Sequence, residues 1–200
     1  TVGVAPETAG AALAAFQVGA HRAEPVATVD GAVFIDDSKA TNPHAARASL
    51  LAHDRVVWIA GGQLKGADVG PLVAETASRL AGAVLLGLDA SEIAAALARH
   101  APDVPVVRVT SGDDSAVPQV TDDARLSPVT VVADASDADA VMATAVREAA
   151  RLAAEERHSS GAAPVVLLAP AAASLDMFTG YGHRGAAFAA AALALPGSHR

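Results

Sequence analysis

The chain contains no cysteine, so neither a disulfide framework nor a thiolate zinc site can be built from it. Aromatic residues make up 3% of its 200 residues, although 52% are hydrophobic. The core must therefore be packed from small aliphatic side chains, chiefly Ala and Val. Excess positive charge is also missing, since 14 Lys and Arg against 22 Asp and Glu leave a formal net charge of −8. That balance argues against a nucleic-acid backbone as the main partner, while small anionic ligands respond to local charge. No apolar run is long enough to cross a bilayer without polar interruption, and no basic region followed by an apolar core opens the chain. A soluble, cytoplasmic protein with no membrane partner is expected. Phosphate-loop signatures are absent too: no window supplies G-x-x-x-x-G-K-[ST], and no predicted strand is followed by G-x-G-x-x-G.

The hydrophobic pattern alternates short apolar runs with helical periods. Residues 7–19 read as a helix with Ala11, Ala12, Leu13, Ala15, Phe16 and Val18 apolar and a glycine at the end. It begins so close to residue 1 that the sequence is expected to start inside a longer protein. Residues 26–29 and 32–35 flank Asp30-Gly31, a hairpin signal. Helices are expected at 43–52, 70–80, 91–99 and 137–156, and strands at 56–60, 83–86, 104–109 and 165–168, with helix again from Ser174 onward. Residues 129–133 read as a further strand or as the lead into the long helix. Strands with few polar residues, separated by helices, predict an α/β fold: a Rossmann-like, mostly parallel sheet with helices on both faces, opened by an antiparallel hairpin. Residues 111–128 have no clear period and are expected to be the most mobile long segment, with the polar connector at 157–163 next.

The chemistry concentrates where strands hand over to helices. After the apolar run Val33-Phe34-Ile35 come Asp36, Asp37, Ser38, Lys39, Ala40, Thr41, Asn42 and Pro43. Asn42 suits a helix N-cap and Pro43 the first helical position. The cluster then sits at the carboxyl edge of a parallel sheet, where ligands bind in open α/β folds. Lys39 offers a compact cation, Asp37 an anion, and Thr41 lies near a helix start whose free N–H groups favour anions. An ordinary capped loop with solvated charges explains the same residues. His21-Arg22 reads either as cations near a helix end or as an arginine suited to a phosphate. The loop from Gly61 to Asp68 is a tight strand-to-helix turn that also places Lys65 at the same edge. Beyond residues 165–168, the small residues Ala169 to Ala173 lead to Ser174, read as an N-cap, with Asp176 in the first turn. Gly180 to Gly185 would then interrupt that helix, leaving Tyr181 and Arg184 flanked by glycines.

The order and spacing of His21-Arg22, Asp37-Ser38-Lys39-Ala40-Thr41-Asn42, Leu168 to Phe178 and Arg184-Gly185-Ala186-Ala187-Phe188 resemble the C-terminal domain of the Mur ligases over nearly the whole chain. Within that family the Ser-Lys-Ala-Thr-Asn motif is most similar to the members that add D-glutamate. The family has three domains, for a UDP-sugar, for ATP with its phosphate loop, and for the incoming amino acid. The resemblance implies that residues 1–20 end the central domain and that 21–200 form the third. It implies a ligase of peptidoglycan synthesis, in which ATP activates a carboxylate as an acyl phosphate and the amine of D-glutamate attacks it. Carried over by position, Arg22 and Asp37 would contact ATP. Lys39, Thr41, Lys65, Ser174 and Leu175 would form the D-glutamate site, closed by Tyr181, with Lys39 and Asp37 catalytic. ATP and Mg2+ would be held mainly by the central domain, UDP-N-acetylmuramoyl-L-alanine by the other domains, and this piece alone would be inactive. Tyr181 stands where members can have Phe, Asp36 where Asn is more familiar, and 111–128 looks like an insertion. The alternatives are a related Mur or folylpolyglutamate-type ligase domain for another amino acid, and a non-catalytic module that binds an acidic metabolite.

Overall fold

A computed structural model describes residues 3–15, 19–111, 129–132 and 137–200, with the backbone alone at 129–132. Its elements are α1 (Pro6–Ala15), β1 (Glu24–Val29), β2 (Ala32–Asp36), α2 (Pro43–Leu51), β3 (Val56–Gly61), α3 (Gly70–Thr76), β4 (Leu80–Leu86), α4 (Ala90–His100), β5 (Val106–Thr110), β6 (Val129–Val132), α5 (Ala138–Ser160), β7 (Val165–Leu168) and α6 (Tyr181–Leu193). A single 3-10 turn, Ala77–Arg79, joins α3 to β4.

The strands form one sheet in the order β1-β2-β7-β3-β4-β5-β6. The hairpin β1–β2 is antiparallel, with Val29 opposite Ala32 across Asp30-Gly31. All other pairings, from β2–β7 through β5–β6, are parallel. The fold is thus the expected Rossmann-like α/β sheet opened by a hairpin. Placing β7 between β2 and β3 is what brings the ends of these three strands side by side.

Side chains alternate across the pleat, and each face has its own core. On one face Val57, Ile59, Val84, Leu86, Val166 and Leu168 pack against Val141, Met142, Ala145 and Ala149 of α5 and Phe188 of α6. On the other, Trp58, Leu85 and Leu167 pack against Leu50 of α2, Val73 of α3 and Ile93 and Leu97 of α4. Small residues allow the close approach of α5, since a side chain at Gly82 would meet Leu152 at 2.9 Å.

Three expectations need correction. The polar connector at 157–163 is helical for its first half: α5 continues to Ser160 and ends on Gly161 in the left-handed conformation, φ 81°, whose N–H bonds the Arg157 carbonyl. Local polarity misled here because an exposed last turn needs no apolar residue once a glycine terminates it. No helix starts at Ser174; residues 174–177 make one turn, in which the Ser174 carbonyl accepts from the Met177 and Phe178 N–H groups. Helix α6 begins at Tyr181 and contains Gly182 and Gly185 in place of being interrupted by them. Helix α1 buries none of its residues. Residues 129–132 do form a strand, beside β5. The expectation of mobility at 111–128 lies almost wholly outside the described residues.

Among the described residues no helix is long and apolar enough to cross a membrane. His53, in the turn between α2 and β3, has its pKa lowered, chiefly because burial disfavours the imidazolium, with Asp54 opposing. A group whose folded pKa lies below its unfolded value contributes stability above the unfolded pKa that is lost as pH falls through the folded one. Replacing His53 by Gln is therefore expected to lessen the loss of stability on acidification below the ordinary histidine range. Denaturant midpoints measured at neutral and mildly acidic pH check this; parallel curves for both proteins would contradict it.

Candidate functional site

The site is built from loops at the carboxyl edge of the sheet. After β2 the chain turns sharply: the Asp37 N–H bonds the Leu168 carbonyl at 2.9 Å and the Lys39 N–H bonds the His21 carbonyl at 3.2 Å. Asn42 then caps α2, its side chain accepting from the Ala45 N–H at 2.9 Å, with proline next in sequence. The residues expected to mark a strand-to-helix handover thus do so.

The loop after β3 is held by backbone contacts that only glycine permits. Gly61 and Gly62 have φ of 124° and 122°, and a side chain on them would strike the carbonyls of Leu86 and Ala173. This closeness lets Gln63 and Ala173 exchange both backbone hydrogen bonds, at 2.8 and 2.9 Å. The loop after β7 is tied the other way by the Ala171 N–H on the Ala40 carbonyl, at 3.0 Å. Asp89 completes the frame by accepting from the Leu64 N–H at 2.7 Å.

Arg184 of α6 lies beneath these loops, 1% exposed. Its Nε donates to Ser38 Oγ at 3.0 Å and its Nη2 to the Ser38 carbonyl at 2.9 Å. Its Nη1 reaches the Ala172 carbonyl at 3.1 Å and the Gly61 carbonyl at 3.4 Å. Burial lowers the guanidinium pKa to about 10, opposed by the charges of Asp176 and then Asp36, so the group stays cationic at neutral pH. Asp36, 1% exposed, accepts from the Ser38 N–H at 2.8 Å and lies 2.6 Å from Nδ1 of His21.

Of the residues singled out in the sequence, Lys39 and Tyr181 come together although far apart in the chain. The Lys39 ammonium donates to the Tyr181 hydroxyl at 3.1 Å and sits 4.7 Å from the centre of its ring. Thr41 is half-buried two residues further on, at the start of α2. Ser174 is buried, 3% exposed, and next to it Leu175 is exposed; both follow Ala173, the partner of Gln63. Lys65 is exposed, two residues beyond Gln63, in the left-handed conformation with φ 55°. Asp37 has its carboxylate engaged by the Ser49 hydroxyl and by the Ala23 N–H at 3.4 Å. Arg22 is exposed at the rim beside β1. Among the described residues no group of three His, Asp or Glu gathers to hold a metal ion. The His21–Asp36 pair and the Arg184 contacts escaped the sequence reading. The one available signal was an arginine beside a glycine in an otherwise small and apolar helix.

These features define a class: a Rossmann-like domain whose candidate small-molecule site is made by loops at the carboxyl edge of its sheet. The chain belongs to the Mur ligase family, its glutamate ligase domain, whose model matches residues 21–172. It is 62% identical over 190 residues to the UDP-N-acetylmuramoylalanine–D-glutamate ligase of Rhodococcus jostii, covering 94% of this chain and 36% of that protein. Identity to the enzyme of the same name from Mycolicibacterium smegmatis is 56% over 201 residues, covering 98% of this chain and 39% of the relative. To that from Mycobacterium bovis it is 53% over 195 residues, with 98% and 39% covered. The chain therefore spans less than two fifths of the length of these relatives.

Gly185 is what lets α6 pass over the His21–Asp36 pair, because a side chain there would meet Asp36 Oδ2 at 2.6 Å and collide with His21 Nδ1. Gly185→Ala should force the pair apart and destabilise the fold by about 1–3 kcal/mol, the usual cost of overpacking. A thermal melt of the variant tests this, and an unchanged midpoint would refute it.

Proposed function

We propose that the chain is the amino-acid-binding domain of an ATP-dependent ligase that joins D-glutamate to UDP-N-acetylmuramoyl-L-alanine, a step of cytoplasmic peptidoglycan synthesis. The observation that carries this reading beyond the family match is the meeting of Lys39 and Tyr181, far apart in the chain. The loop after β2 supplies the ammonium, the loop after β7 supplies Ser174, and the start of α6 supplies the phenol. The names of the relatives supply the substrate.

In this reading D-glutamate brings two carboxylates to that edge. The Lys39 ammonium attracts one of them, and the phenol beside it can donate once the lysine turns to the ligand. Lys65, on its exposed turn, adds a second cation, while Thr41 and Ser174 offer neutral donors. Tyr181 and Leu175 flank the ligand. The reaction needs no nucleophile from this chain. The carboxyl group of UDP-N-acetylmuramoyl-L-alanine takes the terminal phosphoryl group of ATP, releasing ADP. The amine of D-glutamate adds to the resulting acyl phosphate, a proton leaves the nitrogen, and phosphate departs from the tetrahedral intermediate to leave the amide. The contribution of these residues is to fix the amine donor and to stabilise its charge. Arg22 at the rim is assigned to ATP phosphate. Asp37 is assigned to the nucleotide; with one donor on each oxygen, Ala23 N–H and Ser49 Oγ, its carboxylate keeps further lone pairs to accept with.

In the full-length ligase, Lys39→Ala should weaken apparent D-glutamate binding by about 1.5–3 kcal/mol, the range for hydrogen bonds to charged groups, and Ser174→Ala by about 0.5–1.5 kcal/mol. Since Ser174 caps no helix, its loss should cost little stability. KM for the UDP-substrate should change little. Steady-state kinetics with D-glutamate varied, paired with melting curves of the same variants, provide the test. Normal D-glutamate dependence in folded Lys39→Ala and Ser174→Ala enzymes would end the assignment.

A further inference from the structure

Asp176 takes no part in the chemistry above, yet it links two loops at the site. It follows Ser174 and Leu175 in the loop after β7. Its Oδ2 accepts from the Leu88 N–H at 2.8 Å, in the loop after β4. Oδ1 is buried and has no hydrogen-bond partner among the described residues. The loops meet here without slack. A side chain on Gly87, whose φ is 83°, would lie 2.5 Å from Asp176 Oδ2 and 2.8 Å from the backbone of Gly62. Gly62 in turn leads into Gln63, which pairs with Ala173, and the Gly62 carbonyl accepts from the Asp89 N–H at 3.0 Å.

A carboxylate oxygen buried without a partner is costly even on a half-buried residue, unless a nearby charge compensates it. A cation acts on it from the same region: the charge of Asp176, ahead of that of Asp36, favours the charged form of Arg184 against burial. Arg184 also holds both Ser38 oxygens, next to Lys39, and the Ala172 carbonyl, two residues before Ser174. Asp176 therefore bears on the amino-acid site in two ways. Its hydrogen bond ties the segment carrying Ser174 and Leu175 to the loop after β4, and its charge favours the cation that binds Ser38, the neighbour of Lys39.

We propose that Asp176 is a positioning residue for the amino-acid site: by binding the Leu88 N–H it holds the segment that carries Ser174 and Leu175 against the loop after β4. It does not touch the substrate. A residue that served the fold alone would, when replaced, lower the melting point and the active fraction while leaving KM for the amino acid as it was. A positioning residue shifts KM for the amino acid selectively.

The inference rests on the D-glutamate reading, so the experiment includes Lys39→Ala as a separate check of that reading. Full-length Asp176→Asn and Asp176→Ala enzymes are compared with wild type for KM of D-glutamate, ATP and the UDP-substrate, and for melting. Asparagine keeps an oxygen for the Leu88 N–H and removes the charge, whereas alanine removes both. The expected result is a rise in D-glutamate KM of roughly two- to twelve-fold for alanine, the equivalent of one ordinary hydrogen bond, with asparagine between alanine and wild type and the other KM values unchanged. Impaired Lys39→Ala with wild-type D-glutamate KM in both Asp176 variants would overturn the proposal and leave the site reading standing. The same holds if all three KM values rise together. Wild-type behaviour of Lys39→Ala would overturn the site reading and the proposal with it. Should alanine prevent folding, the asparagine variant alone decides, since it preserves shape and acceptor.

Discussion

The edge of this domain depends on one buried cation. A guanidinium presents five N–H donors in a rigid plane and cannot shed its charge at neutral pH, so once enclosed it must be given acceptors. Arg184 finds them on Ser38, Ala172 and Gly61, which belong to the loops after β2 and β7 and the end of β3. None of these segments can move away without leaving part of the ion unsatisfied inside the protein, a far larger cost than the loss of a surface contact. A polar requirement thus ties together three segments whose small apolar residues, Ala40, Ala60, Ala169, Ala171 and Ala172, also pack into the core. Trp58 repeats the device deeper in the sheet, its indole N–H bonding the Ala169 carbonyl at 2.7 Å.

The glycines are the other half of the same arrangement. Carbonyls can converge on Arg184 only if the backbones bearing them approach more closely than side chains allow. Gly61 and Gly62 permit the loop after β3 to lie directly against Leu86 and Ala173, and Gly185 permits α6 to cross Asp36. Rigid frame and exposed chemistry are separated as a result. The buried layer holds Asp36, Ser38 and Arg184, while Lys39, Lys65, Leu175 and Tyr181 stand on it facing outward. The proposed ligand contacts thereby avoid the desolvation cost of a fully buried charge, and their geometry is inherited from groups that pay it in their stead.

Charge is distributed in the same spirit. The chain as a whole is acidic, with a net charge of −8, yet Lys39, Lys65 and Arg22 all lie on loops of the site or its rim. Overall charge governs solubility and encounter with large polyanions; a small carboxylate or phosphate responds to the nearest cations. The exposed pairs elsewhere, such as Arg151 with Glu148 and Glu155 along α5, contribute only the modest stability of surface ion pairs.

Much of this was legible from the amino-acid order because it is local. Strands and their sequence of helices follow from apolar runs and periodicity, the hairpin from Asp30-Gly31, and the start of α2 from Asn42-Pro43, each of which depends only on neighbours within a turn or so. The failures are local too: Ser174 looks like a helix cap, but its segment is committed to the bridge with Gln63 and to the turn before α6, and tertiary pairing overrides a cap preference. Residues 157–160 look like a linker, but the helix needed only Gly161 to end it. What no local rule contains is which strand lies between which. By itself the sequence determined a parallel α/β sheet with cations at its loops. The tertiary structure decided that β7 inserts between β2 and β3, and hence that Arg184 meets Ser38 across 146 positions of chain and Lys39 meets Tyr181 across 142. Strand order is a sum over many weak packing contacts, and a buried ion pair becomes visible only after that sum has been taken.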